Sequence, residues 1–243
     1  MQNIHHLRVM SKRRKRIILL ACGIFAIALI WALLAPREDE PSYQGRTVSQ
    51  WLNDIDQGRW GVWNEAPIRA IGTNAIPACL KWISYEGGVP LRNRIAKLVE
   101  LVSPALGRRL TVNPWRRSNR VLGVFRILGP QARAAIPELT RLAQTAIPAR
   151  ADGSQPGRAG RCIDCLGFIG PEAIPSILSL VTNSPRLTRC TAIWKLADLG
   201  TNAVAVVPKL RLALTDTHPY VFNAASNALV KIAPEVLTNA PSQ

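Results

Sequence analysis

Ile127-Leu128-Gly129, followed after a short polar turn by Ala135-Ile136-Pro137, is the stretch on which the fold is read. An apolar helix runs up to Gly129, and a second apolar helix opens near Pro137. Glycine ends a helix well because it takes positive φ without a Cβ clash. Proline suits the first turn of the next helix, where its missing N–H would have had no partner. The same phrase occurs as Ala70-Ile71-Gly72 with Ala75-Ile76-Pro77, and as Phe168-Ile169-Gly170 with Ala173-Ile174-Pro175. A fourth copy is Asp198-Leu199-Gly200 with Val206-Val207-Pro208.

Alignment on the glycines exposes apolar stripes at helical spacing. Ile68, Phe125, Leu166 and Leu196 stand four residues before them; Ile71, Leu128, Ile169 and Leu199 stand one before. A last copy fits with Ala233 in the glycine slot, giving Leu229 and Ile232. In the second helices Cys79, Leu139, Ile177 and Leu210 follow the proline by two, and Trp82, Leu142, Leu180 and Ala213 follow it by five. The glycine intervals of 57, 41 and 30 residues require two insertions.

This pattern resembles the HEAT repeat, including its phycobilisome-lyase-type variants, over roughly residues 60 to 238. The stretch Gly45-Arg46-Thr47-Val48-Ser49-Gln50-Trp51-Leu52 also resembles a helix that precedes such repeats in some bacterial membrane-tethered proteins, and Thr47 with Gln50 makes a capping box for it. The resemblance implies an all-α protein, a HEAT-like α-solenoid of antiparallel helical hairpins used mainly for protein–protein contact. It implies no chemistry, because such arrays serve many unrelated functions. The expected organisation is a basic tail at 1–16, an apolar anchor at 17–35, a linker with a first soluble helix at 36–59, and the repeat domain at 60–243. Within that domain an insertion is read at 84–119, with a helix from Leu91 to Val102 whose Ile95, Leu98, Val99 and Val102 share a face. A flexible loop is read at 148–160, which carries Pro148, Gly153, Pro156, Gly157 and Gly160. The final copy has little room for a second helix and is read as a cap.

The N-terminus is read as a membrane tether. Lys12, Arg13, Arg14, Lys15 and Arg16 precede 19 uncharged residues, Ile17 to Ala35. A helix of that length spans roughly 28 Å, close to the hydrocarbon core of a bilayer. Pro36 and the acidic Glu38-Asp39-Glu40 follow, so the basic flank puts the tail in the cytoplasm and the remainder outside it. The expected setting is a single-pass bacterial inner-membrane protein with a periplasmic repeat domain. A cleaved signal is the weaker reading, because Leu33 would occupy the minus-three position and Pro36 would follow the cut. Leu19-Leu20-Ala21-Cys22-Gly23 looks like a lipobox, but only four apolar residues precede Cys22 after the basic run.

Composition fits an ordered helical chain: 48% of residues are hydrophobic, 19% charged and only 6% aromatic. Of 31 Lys and Arg, six precede residue 17, leaving 25 against 15 acids and a net charge of +10 outside the tail. Such a surface suits acidic proteins, anionic polymers or nucleic acid, although arginine-rich solvent faces are ordinary in helical repeats.

Signs of chemistry are few. His5 and His6 lie in the tail, which leaves His218, before Pro219, as a solvated turn residue. Cys162 and Cys165 form a C-x-x-C without a following His, so a c-type haem is excluded, and both fall where other copies hold small core residues. A disulfide from Cys162 to Cys165 or Cys190 stays open in an oxidising compartment. A four-cysteine zinc site with Cys79 and Cys190 is disfavoured, because Cys79 lies two repeats away in a stack whose repeats touch only neighbours. Asp54 and Asp56 sit near the end of the first soluble helix, and no phosphate loop, nucleophile elbow or zinc-protease helix occurs. No catalytic, cofactor-binding or metal-binding residue is therefore assigned, and no small-molecule ligand. Trp51, Trp60, Trp63, Trp82 and Trp115 are expected to seal the open end of the stack more than to anchor partners.

Second helices line the concave, partner-binding face of HEAT-like stacks. The positions facing away from the core hold Ala78 and Lys81, Glu138 and Arg141, Ser176 and Ser179, Lys209 and Leu212. Lys81, Glu138, Arg141 and Lys209 are the candidate binding residues. This mixed, mildly basic surface lacks the stacked aromatics or dense cationic stripe of a nucleic-acid track. The expected function is a membrane-tethered scaffold for protein partners. A nucleic-acid or anionic-polymer binder and a lyase-type enzyme acting through cysteine are the alternatives.

Overall fold

The structure is a computed structural model that describes residues 22–23, 25–26, 40–56, 65–85, 91–101, 103–111, 113–146, 157–182, 184–200 and 205–233. Of these, 82% are helical, which makes the protein mostly α. It divides into two compact units, one of residues 1–38 with 88–113 and the other of residues 39–87 with 114–243. The apolar segment expected at 17–35 lies outside the described residues, except that Cys22, Gly23, Phe25 and Ala26 are helical. Among the described residues no helix is long and apolar enough to cross a membrane.

The larger unit opens with a hairpin absent from the sequence reading. Strands β1 (Ser42–Tyr43) and β2 (Arg46–Thr47) pair antiparallel, with Ser42 opposite Thr47 and Tyr43 opposite Arg46. Gln44 and Gly45 make the turn at φ of 51° and 73°, the left-handed pair that a two-residue hairpin needs. Helix α1 (Val48–Asp56) follows. Its expected cap is half formed, since the Thr47 N–H donates to Gln50 Oε1 at 2.9 Å. The Thr47 hydroxyl instead meets Ser49 Oγ at 3.2 Å, and the Ser49 N–H donates to Glu40 Oε2 at 3.0 Å.

Four helical pairs and a single helix come next: α2 (Ala66–Ile71) with α3 (Ile76–Ile83), α6 (Pro114–Leu128) with α7 (Ile136–Gln144), α8 (Arg158–Ile169) with α9 (Ile174–Thr182), α10 (Arg186–Asp198) with α11 (Val207–Ala213), and then α12 (Pro219–Ile232). The numbers α4 and α5 belong to the other unit. Gly72, Gly129, Gly170 and Gly200 end the first helices at φ of 61°, 53°, 102° and 60°. A side chain at these values meets its own backbone, which is why the slot holds glycine in every complete copy. Ala233 ends the last helix in extended backbone at φ −152°, so it needs no glycine there. Pro77, Pro137, Pro175 and Pro208 are all exposed at the starts of the second helices.

The aligned apolar slots are the core. Ile68, Phe125, Leu166, Leu196 and Leu229 are buried, as are Cys79, Leu139, Ile177 and Leu210 in the second helices. So are Trp82, Leu142, Leu180 and Ala213. They form one continuous cluster, because each first helix from α6 onward packs against both helices of the pair before it. One contact departs from the expected neighbour-only rule: α3 also touches α8, two pairs along.

The first turn of α8 accounts for that contact. The fully buried Arg161 donates from Nη2 to the Tyr85 carbonyl at 2.5 Å and approaches the Ile83 carbonyl at 3.4 Å, both at the C-terminal end of α3. Arg158 does the same for α7, donating to the Leu142 carbonyl at 3.1 Å and the Thr145 carbonyl at 2.5 Å. Helix C-termini present unsatisfied carbonyls and partial negative charge, and guanidinium groups answer both. These bonds also explain a boundary. The loop expected at 148–160 gives way to helix at Arg158, despite two flanking glycines; its residues 148–156 lie outside the described residues.

Among the described residues the insertion holds two helices, not the one expected, α4 (Leu91–Glu100) and α5 (Pro104–Leu110). The insertion therefore closes earlier than 119, since Pro114 starts α6. Ala96, Val99 and Leu110 are buried together, with Ile95, Leu106 and Phe25 packed against them. Leu98, expected on the packed face, is 58% exposed. The pair packs on the Ile95–Ala96–Val99 side, and Leu98 falls off that stripe by about 100° per residue step. Val102 lies outside the described residues.

Candidate functional site

The eight positions predicted to face away from the core are all unburied, from Ala78 and Lys81 on α3 to Lys209 and Leu212 on α11. Within this stripe the candidate residues differ in what they meet. Glu138 and Arg141 pair with each other, Arg141 Nε and Nη2 donating to the two carboxylate oxygens at 2.8 and 2.6 Å. The Arg141 hydrogen bonds, more than its charge alone, hold the Glu138 carboxyl below its usual range. Their charges cancel locally, so this part of the stripe is polar without being basic. Lys81 is exposed on α3.

Lys209 and Leu212 border a cleft of about 380 Å³, walled by α9, α10, α11 and the turn after α11. Of its apolar lining Val181 and Ala213 are buried and Leu212 is exposed, and Thr182, Thr215 and Thr217 bring hydroxyl-bearing side chains. Its charged residues are Lys209, Arg189 and Asp216, a net +1. Arg189 is fixed: Nη2 donates to Asp216 Oδ1 at 3.0 Å and Nη1 to the Ser184 carbonyl at 3.1 Å. Its Nε is sealed from solvent without a hydrogen-bond partner. Asp216 Oδ1 also accepts the His218 N–H at 2.9 Å. Burial acts to raise the Asp216 carboxyl, but the His218 N–H and the Arg189 guanidinium outweigh it and hold the group below its usual range. Asp216 thus fixes Arg189 and the turn, while Lys209, exposed at the rim, carries the cleft's uncompensated charge.

Sequence reasoning found Lys209 and Leu212 but missed Arg189, Asp216 and the threonines. Asp216 two residues before His218, in a run ending at Pro219, is an Asx-turn signal that could have marked the turn. His218 is more than a solvated residue. It is the N-cap of α12: Nδ1 accepts the Tyr220 N–H at 3.3 Å, and Nε2 lies 2.6 Å from Arg186 Nη1. A neutral imidazole has one lone-pair nitrogen, so it serves one of these donors at a time.

Cys79, Cys162, Cys165 and Cys190 are buried and unbridged. Burial, helped by the charge of Glu40, pushes the Cys79 thiol up to about 12. Burial also pushes Cys165 well up, followed by the neighbouring Cys162 and Cys79. Helix α3, which carries Cys79, touches α8, which carries the C-x-x-C, contrary to the separation expected. Cys190 is raised by burial as well. Thiols shifted this way are protonated at neutral pH and are poor nucleophiles. Among the described residues no group of three His, Cys, Asp or Glu side chains is placed to hold a metal ion.

Of the expected sealing tryptophans, Trp82 is buried, with the Arg117 guanidinium 5.1 Å above its ring. Trp51 is half-buried, donates to the Tyr43 carbonyl at 3.3 Å, and lies 4.1 Å below Arg46. The side chains of Trp60, Trp63 and Trp115 lie outside the described residues, as do Asp54 and Asp56. Trp194, to which the sequence reading gave no role, is 56% exposed on α10. Beside it Lys195 bridges Asp164 at 2.7 Å and Asp198 at 3.8 Å, and Lys231 reaches Asp198 at 3.0 Å, a ladder of charges across α8, α10 and α12.

No known family model matches the chain, and no curated protein matches it.

Proposed function

We propose that this chain is a membrane-tethered interaction scaffold. In this reading residues 60–243 form a HEAT-like α-solenoid, residues 17–35 anchor it as a single-pass helix, and the tail stays in the cytoplasm. The repeats then face the periplasm or an equivalent compartment, where the partner is a protein with an acidic segment. The observation that carries the reading is the cleft at the end of the exposed second-helix stripe. There Lys209 lines the cleft with Val181, Leu212 and Ala213, beside an arginine already held in place. A carboxylate there meets the open charge of Lys209 without the cost of ordering Arg189 first.

In-cell photocrosslinking tests it, with the photoreactive residue at Leu212 and a control at the exposed Phe222 on α12. The reading expects a discrete protein adduct at Leu212, absent from Phe222 and lost when Lys209→Glu is added. Equal adducts at both positions, or an adduct indifferent to Lys209→Glu, would remove the cleft from the reading.

The net charge of +10 outside the tail supports a second reading, binding of nucleic acid or another anionic polymer. It requires affinity that falls steeply with salt; no binding to DNA or a heparin-like polymer at about 0.1 M salt sinks it.

A further inference from the structure

We infer that the cleft walled by α9, α10 and α11 binds a single carboxylate with an aliphatic side chain beside it, on an extended peptide, and selects against phosphate. The inference rests on the cleft of the proposed function and names its ligand.

Three observations carry it. The first is which side-chain donors the cleft leaves open. Arg189 directs Nη2 to Asp216 at 3.0 Å and Nη1 to the Ser184 carbonyl at 3.1 Å. The Thr215 hydroxyl donates to the Leu212 carbonyl at 2.8 Å, and the Thr182 hydroxyl to the Ser179 carbonyl at 3.5 Å. Among the described residues, Lys209 and Thr217 are the lining donors that meet no partner in the chain, and both are exposed. One ammonium and one hydroxyl suit the two oxygens of one carboxylate.

The second is charge. Burial acts to raise the Asp216 carboxyl, but the His218 N–H and Arg189 hold it below its usual range, so it is ionised at neutral pH. Asp216 balances Arg189, which leaves the single charge of Lys209. A carboxylate matches that charge. A phosphate monoester brings roughly 1.5–2 negative charges, and the excess is repelled by Asp216.

The third is the rest of the lining. Leu212 is 67% exposed beside the buried Val181 and Ala213, and an aliphatic side chain laid on it removes apolar surface from water. Among the described residues the lining holds no aromatic ring, so a nucleobase has no platform to stack on. The volume of about 380 Å³ is near the lower end of ligand pockets, roughly 300–1,000 Å³, and suits one or two residues of an extended chain. An acidic side chain and a chain-terminal carboxylate share this chemistry, and peptide arms separate them.

Fluorescence anisotropy tests it with the full chain in detergent micelles at about 0.1 M salt, where diffuse charge attraction is damped. The probes are labelled peptide amides carrying one glutamate between leucine and valine. Companion peptides put glutamine or phosphoserine in place of the glutamate, put serine in place of both aliphatic residues, or omit the glutamate and end in a free carboxylate at valine. The glutamate peptide should bind about tenfold more tightly than the glutamine one, no more weakly than the phosphoserine one, and several-fold more tightly than the serine-flanked one. The tighter of the side-chain and terminal carboxylate peptides names the source of the carboxylate. Lys209→Met should weaken binding about tenfold and Thr217→Val about threefold, with thermal melts unchanged because both side chains are exposed. Lys81→Met removes the same charge from α3 and should leave binding intact. A phosphoserine peptide bound about tenfold more tightly than the glutamate one, or equal losses from Lys81→Met and Lys209→Met, overturns the inference. So does the lack of any glutamate preference up to about 1 mM peptide. If Leu212 still forms its protein adduct, those results leave the scaffold reading standing; loss of the adduct as well removes the cleft from both.

Discussion

Replacing Arg161 tests how the helical pairs are held together. Its guanidinium is fully buried and reaches the carbonyls of Tyr85 and Ile83 at the end of α3, 76 and 78 residues earlier in the chain. Two effects oppose each other in Arg161→Met, which keeps the stem and removes the charge. Losing charge-assisted bonds costs about 1.5–3 kcal/mol, and stranded carbonyls add to that. Relief from burying a guanidinium returns part of it, and apolar replacements of buried ions have proved neutral or stabilising elsewhere. The short Tyr85 bond at a helix end favours the first effect, so Arg161→Met should lose about 1–3 kcal/mol. Arg161→Ala also opens a cavity and should lose about 3–5 kcal/mol. At about 2–4 °C per kcal/mol for a chain of this size, the alanine variant should melt roughly 6–20 °C lower. Urea unfolding followed by circular dichroism measures the totals, and hydrogen exchange should show early opening of residues 76–85. A methionine variant as stable as the parent, with unchanged exchange at α3, would refute the capping argument.

Other outcomes follow from the same geometry. Gly107→Ala should break the α4–α5 pair, since its Cβ would meet the Glu100 backbone; hydrogen-exchange protection at 91–110 should collapse, and retained protection would contradict the contact. Asp216 has a depressed carboxyl in the folded state, so its stabilisation is present above the unfolded value of about 3.9 and fades as pH falls through the lower folded value. Asp216→Asn should therefore flatten the loss of stability in acid below about pH 4, seen in thermal melts across pH; an unchanged slope would argue against the Arg189 and His218 contacts. The four buried cysteines should resist a maleimide reagent until urea is added. Rapid native labelling of Cys165 would show that its burial has been overstated.

The helical pairs were legible because each rests on local physics. A turn at φ near 60° selects glycine at 72, 129 and 200, and period-3.6 slots select Leu, Ile and Phe wherever a helix faces its neighbours. Less legible were features set by distant partners. Nothing local marks Arg161 as a core residue, because its acceptors lie nearly eighty residues away. The start of α8 was misplaced for a related reason: Gly157 and Gly160 suggest a loop, and the bonds from Arg158 to the end of α7 override them. The insertion reads as one helix from Leu91 to Val102, because α5 beyond it, seven residues from Pro104, is too short for helical periodicity to mark. Lys209 and Leu212 could be found by register alone. The rest of the cleft could not, because Arg189 and Asp216 meet across 27 residues.

The account stands most directly on the side of the membrane that the helical pairs occupy. Paired reporter fusions at Gln243 measure this in intact bacterial cells, one enzyme active only outside the cytoplasm and one fluorescent protein that folds only inside it. The tethered-scaffold account predicts an active external enzyme and a dark fluorescent fusion. A bright fluorescent fusion with a silent enzyme would contradict it and return the basic surface to cytoplasmic partners.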